Sequence, residues 1–209
     1  MKQLLVIISM FFFGMVAAQS KYEGAMAKGL EQLQAVKSAD DMGATAAFFE
    51  RVADAEKDKW LPYYYAAYAN HLTGWMNPKA DKDKVAEKSK DLIAKAEVLE
   101  QNNSEIFCLR QMVAIQQMTV DPMARWQTYG AEANNALESA TRADPNNPRI
   151  YYLNGQTLMN TPEAFGGGKA VAKKLFEKAV ELYKTFTPAS SFHPGWGKED
   201  AEKLLAACQ

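Results

Sequence analysis

Ala96-Glu97-Val98-Leu99-Glu100-Gln101-Asn102-Asn103-Ser104 and Ala140-Thr141-Arg142-Ala143-Asp144-Pro145-Asn146-Asn147-Pro148 line up residue for residue, and both close one helix and open the next. An alanine on an apolar face begins each stretch, and Asn-Asn followed by Ser or Pro ends it. Asn and Ser cap helix N-termini through side-chain oxygens, and Pro is pre-set for the first helical turn. A helix-turn-helix junction that recurs along a chain predicts stacked hairpins rather than a sheet.

Apolar residues recur at helical spacing on both sides of these junctions, and no stretch alternates with period two for long. Met42, Ala46, Phe49 and Ala53 form one stripe behind Ser38 and the acidic pair Asp40-Asp41; Val85, Leu92, Ala96 and Leu99 form another. Ile106, Leu109, Val113 and Gln116 form a third, and Cys108, Met112 and Ile115 give that helix a second apolar face, which places it inside the stack. Turn chemistry falls at Asn77-Pro78, Asn102-Asn103-Ser104, Asp121-Pro122, Asp144 to Pro148 and Pro162 to Gly168. The expected helices are therefore Tyr22–Lys37, Asp40–Lys57, Leu61–Met76, Lys82–Glu100, Ser104–Thr119, Pro122–Arg142, Pro148–Asn160 and Gly168–Phe186, with a last one over Lys198–Cys208. The fold class is all-α.

The unit resembles the tetratricopeptide repeat (TPR). Tyr151 and Gly155 stand where that pattern has its first large and its small residue, and Ala172, Phe176 and Ala179 match the second helix. Ala133, Leu137, Ala140 and Pro145 repeat the second-helix pattern one unit earlier. Ala96, Ala140 and Ala179 lie 44 and 39 residues apart, against the roughly 34 of regular repeats, so the units are degenerate. The resemblance covers Leu61 to Phe186 well and Tyr22 to Lys57 weakly. It implies a TPR-like α-α superhelix of about four hairpins with a C-terminal capping helix, of the kind found in exported bacterial proteins with a Pro-x-x-x-Gly-Gly insertion, here Pro162 to Gly167.

Met1-Lys2-Gln3, an apolar run from Leu4 to Val16, and Val16-Ala17-Ala18 before Gln19 follow the secretory signal pattern. Residues 1–18 are expected to be the leader, with cleavage after Ala18, and residues 19–209 the helical domain in a periplasmic or secreted setting without a stable membrane anchor. The apolar run is shorter than the ~20 residues a spanning helix needs, and Gln19 stands where a lipoprotein has Cys. In an oxidising compartment Cys108 and Cys208 are expected to form a disulfide; the alternative is two buried, inert thiols. The formal net charge of −1 creates no field that recruits nucleic acid.

Catalytic and metal motifs fail on inspection. Gly166-Gly167-Gly168-Lys169 lacks the first Gly of a phosphate loop, where Glu163 stands, and the final Ser or Thr, where Ala170 stands, so it reads as a wide turn. His71 and His193 are the only imidazoles and have no metal-ligand spacing; His193, in Phe192-His193-Pro194-Gly195-Trp196-Gly197, reads as turn packing. No enzyme, cofactor or metal site is expected. The aromatic run Trp60 to Tyr65, with Tyr68 and Trp75, suits either a binding groove or a core between hairpins. Groove candidates are Tyr64, Tyr68 and Trp75, with Trp126 and Tyr151 farther along. The expected function is non-catalytic binding of a protein or peptide in the cell envelope; the alternative is a carrier of an apolar or carbohydrate small molecule serving an uptake system.

Overall fold

A computed structural model describes residues 21–209, so the expected leader and its cleavage after Ala18 lie outside the described residues. The described residues contain helices and no strand. α1 covers residues 21–35, α2 Ala39–Ala55, α3 Trp60–Met76, α4 Lys82–Leu99, α5 Ser104–Met118, α6 Pro122–Arg125, α7 Ala131–Ala143, α8 Pro148–Met159, α9 Lys169–Tyr183 and α10 Lys198–Ala207. These bounds reproduce the expected helices to within three residues, with one exception. The single helix expected over Pro122–Arg142 is broken into α6, a π-helical turn at Trp126–Gly130, and α7. At that junction the Arg125 side chain pairs with Asp83 and donates to the Gln117 carbonyl, and the wide turn follows.

Cap chemistry explains where the helices start. Ser38, Asp81, Asp121, Asn103 and Asn147 each accept backbone N–H bonds at the first turn of α2, α4, α6, α5 and α8. Asn103 and Asn147 are equivalent positions of the two aligned stretches, so the repeat seen in the sequence is a repeated cap.

Neighbouring helices pack in succession, and α3 also touches α5, which touches α8. Those three thus form one layer, while α4, α7 and α9 lie behind them. Small residues let the layers close. A Cβ on Gly155 of α8 would sit 2.6 Å from the Phe176 ring of α9, so only glycine admits that ring. Phe176, Ala172 and Ala179 are buried as the spacing implied. A fully buried phenylalanine contributes roughly 1.5–3 kcal/mol from area alone, and its cavity would cost more.

One segment breaks the pattern. Residues 184–197, between α9 and α10, form no long helix yet cross the faces of the array. Phe186 meets Tyr183, Phe192 reaches Tyr22 of α1 edge-on at 6.3 Å, and Trp196 returns to Tyr152 of α8. α10 then packs on α9. This strap is fourteen residues long, and loops of that length without secondary structure are uncommon unless functional.

Candidate functional site

Buried backbone carbonyls need donors, and a strap without regular structure cannot supply its own. The helices supply them. Tyr65 Oη donates to the Phe192 carbonyl (2.9 Å), Arg149 Nη2 to that of Pro194 (2.6 Å) and Tyr183 Oη to that of Trp196 (3.0 Å). Trp196 Nε1 in turn donates to Tyr64 Oη at 2.9 Å. Gly197 has φ 102°, and a Cβ there would lie 2.3 Å from Tyr183 Oη, so the turn into α10 requires glycine.

With the strap held down, a cleft of about 500 Å³ opens between its outer edge and α1, α2 and α3. Leu30, Leu33, Met42 and Leu72 give it an apolar floor; Tyr68 and Trp196 form an aromatic wall; Ser190, Ser191 and Gln34 provide hydroxyl and amide groups. Tyr68 lies nearly parallel to Trp196, with centroids 5.3 Å apart and planes 20° apart. Among the described residues no Lys, Arg, Asp or Glu lines the cleft. Apolar walls with a few polar groups are the usual form of a small-molecule site, and the volume falls within the usual 300–1,000 Å³.

The titratable groups of the cleft are neutral. Burial raises the Tyr68 phenol to about 12, so the ring carries no charge in the ligand-free cleft. Burial lowers His193, so its imidazole is uncharged at neutral pH. His193 Nδ1 is 2.7 Å from Ser190 Oγ and its ring meets Trp60 edge-on at 5.6 Å, an arrangement that leaves Nε2 as its free nitrogen. Among the described residues no group of three His, Cys, Asp or Glu side chains could hold a metal ion. His71 is sealed inside α3, accepts from Trp75 Nε1 at 3.1 Å, and is lowered to about 4 by burial.

The five groove candidates separate. Tyr64 and Tyr68 stack on each other at 6.3 Å, but Tyr64 is wholly buried beneath Trp196 and belongs to the core. Tyr68 reaches the cleft. Trp75 is 45% exposed at the end of α3, with Lys82 over its ring at 4.4 Å, and Trp126 is 57% exposed on the π turn. Tyr151 donates to the Pro145 carbonyl on the outside of α8. No ring contact joins these three to the Tyr64–Tyr68 pair among the described residues. The open groove expected along α3 is instead covered by the chain's own strap. Cys108 and Cys208 border one apolar cluster, but both thiols are free. Burial pushes the Cys108 thiol well up, and the structure has two free thiols where a disulfide was expected. The amides of Gly167 and Gly168 bond the carbonyls of Pro162 and Leu158, as a turn requires.

Trp196, His193 and the floor leucines were not among the sequence candidates. The signal for them is the density of Gly, Pro and aromatic residues between Phe192 and Gly197 in a segment without helical period.

No protein-family model and no curated protein matches the chain. Among solved structures, the HusA haemophore from Porphyromonas gingivalis matches with 38% identity and a TM-score of 0.81, over 90% of this chain and 92% of that one.

Proposed function

The chain belongs to the family of the HusA haemophore, and from that premise we propose that it is an exported carrier of haem, or of a flat macrocycle of that class, held in the cleft beneath the strap. The observation that carries the reading is the Tyr68–Trp196 wall over an uncharged apolar floor. A porphyrin has two broad apolar faces and an edge bearing carboxylates. Aromatic walls and leucines suit the faces, while Ser190, Ser191 and Gln34 suit the edge. With an aromatic wall for its faces and no cluster of metal-ligating side chains among the described residues, the grip falls on the macrocycle rather than the iron. This favours the small-molecule alternative over a peptide groove. The TPR-like superhelix remains the arrangement that the successive α3–α5–α8 contacts support.

Titration with haemin and with metal-free protoporphyrin, followed by absorbance and by quenching of tryptophan emission, tests the reading. Both should bind one-to-one with affinities within about tenfold of each other. Saturable binding of neither would overturn it. Binding of haemin alone, abolished by His193→Ala, would replace stacking with iron coordination. Native mass spectrometry of protein recovered from its own cell envelope should show an added mass of porphyrin size; a co-eluting polypeptide instead would restore the peptide reading.

A further inference from the structure

Arg149 is wholly buried, and its environment is poor for a structural charge. Nη1 bonds Glu105 Oε1 at 2.8 Å, but Nε of Arg149 and Oε2 of Glu105 have no hydrogen-bond partner. Burial pushes the Glu105 carboxyl up against the opposing pull of Arg149 and of Asn147, whose Nδ2 donates to it. A buried ion pair with unsatisfied ends is weak evidence for stability, and apolar residues of similar volume often do as well. The pair therefore calls for another explanation.

Its position supplies one. Glu105 and Arg149 are equivalent residues of the two aligned repeats, each two positions beyond its Asn cap, so the bridge ties the start of α5 to the start of α8. The other arm of the guanidinium leaves the helices and bonds the Pro194 carbonyl, and Cζ lies 4.9 Å from the centroid of the Trp196 ring and 4.8 Å from that of Phe186. One side chain thus holds both legs of the strap. The planar fork permits two directed bonds and ring stacking together, which a lysine cannot do.

We propose that Arg149 is the positioning residue of the ligand cleft: anchored by Glu105, it sets Pro194 and Trp196 in the place from which the strap walls the cleft. Arg149 does not itself line the cleft. This inference rests on the carrier reading for its effect on ligand, but the placement of the strap can be read without ligand.

Hydrogen exchange of the ligand-free protein, paired with haemin titration, tests it in Arg149→Lys. The lysine retains charge and the pairing with Glu105, so a purely electrostatic role would be rescued. The expected result is exchange at least about tenfold faster for the amides of residues 190–196, with the protection of α2 and α4 unchanged, and haemin binding at least about tenfold weaker. Should Arg149→Lys fail to fold, the double variant Glu105→Leu with Arg149→Met removes both charges and is held to the same expectation. Unchanged protection of residues 190–196 overturns the tether. Faster exchange with unchanged haemin affinity overturns its part in binding. If the unsubstituted protein binds no porphyrin, the carrier reading fails, while the exchange result still decides the tether.

Discussion

The hairpin of α8 and α9 and the strap that follows it hold the chain by opposite means. In the hairpin, Gly155 admits Phe176 and backbone groups bond within each helix, so the contact is shape against shape. In the strap, three carbonyls accept from Tyr65, Arg149 and Tyr183, so its place depends on a few directed polar bonds from distant side chains. The first arrangement is stiff and distributes its stability over many dispersion contacts. The second concentrates positioning in few groups, which is how a binding wall can be set or lost without unfolding the scaffold.

The largest expected effect tests the hairpin side. Phe176→Ala should cost ~3–5 kcal/mol of stability, read by denaturant unfolding, because Gly155 opposite leaves nothing to collapse into the hole. The haemin affinity of the molecules that remain folded should not change. A loss below ~1 kcal/mol would mean that the two regions are less different than their contacts imply.

Next comes acid. His71 is neutral in the folded state down to about pH 4, whereas in the unfolded chain it takes up a proton near 6.5. The unfolded state therefore binds more protons between those values, and stability falls as pH drops from 6.5 to 4, by up to ~3 kcal/mol. His71→Gln should flatten that part of the stability profile. An unchanged slope would place the acid sensitivity elsewhere.

A smaller effect is expected for Tyr68→Leu, which keeps bulk but removes the stack on Trp196. Porphyrin affinity should fall by ~0.5–1.5 kcal/mol, roughly a factor of two to ten, with the thermal midpoint almost unmoved. An equal affinity with a lowered midpoint would return Tyr68 to the core. Smallest is Trp126→Ser. That ring is mostly exposed, so stability should stay within ~0.5 kcal/mol and haemin binding should be unaffected. Weakened binding would move the ligand to the π turn and away from the strap.

Much of the scaffold was legible in the amino-acid order because its causes are local. Helical spacing, Asn and Asp caps and Pro-bearing turns act within a few residues, so α2 through α5 appear where their stripes and breaks lie. The repeat of Asn103 by Asn147 survived as a repeated cap for the same reason. The π turn at Trp126–Gly130 was not legible, because no Pro or Gly interrupts the helical spacing ahead of it. Of the groove candidates that share a face of α3, Tyr68 borders the cleft and Tyr64 is buried among Trp60, Tyr65 and Trp196.

By itself, the sequence determined an all-α chain of short hairpins and the poverty of catalytic and metal-binding side chains. These follow from local periodicity, capping and composition. The tertiary structure alone decided that residues 184–197 turn back over α1, α3 and α8, that the strap and α1 border a cleft, and that Arg149 joins Glu105 to Pro194. The reason is physical: the strap has no periodicity, and its bonds to Tyr64 and Tyr65 span 132 and 127 residues. Such pairings become defined only when the packed helices bring their donors to one face.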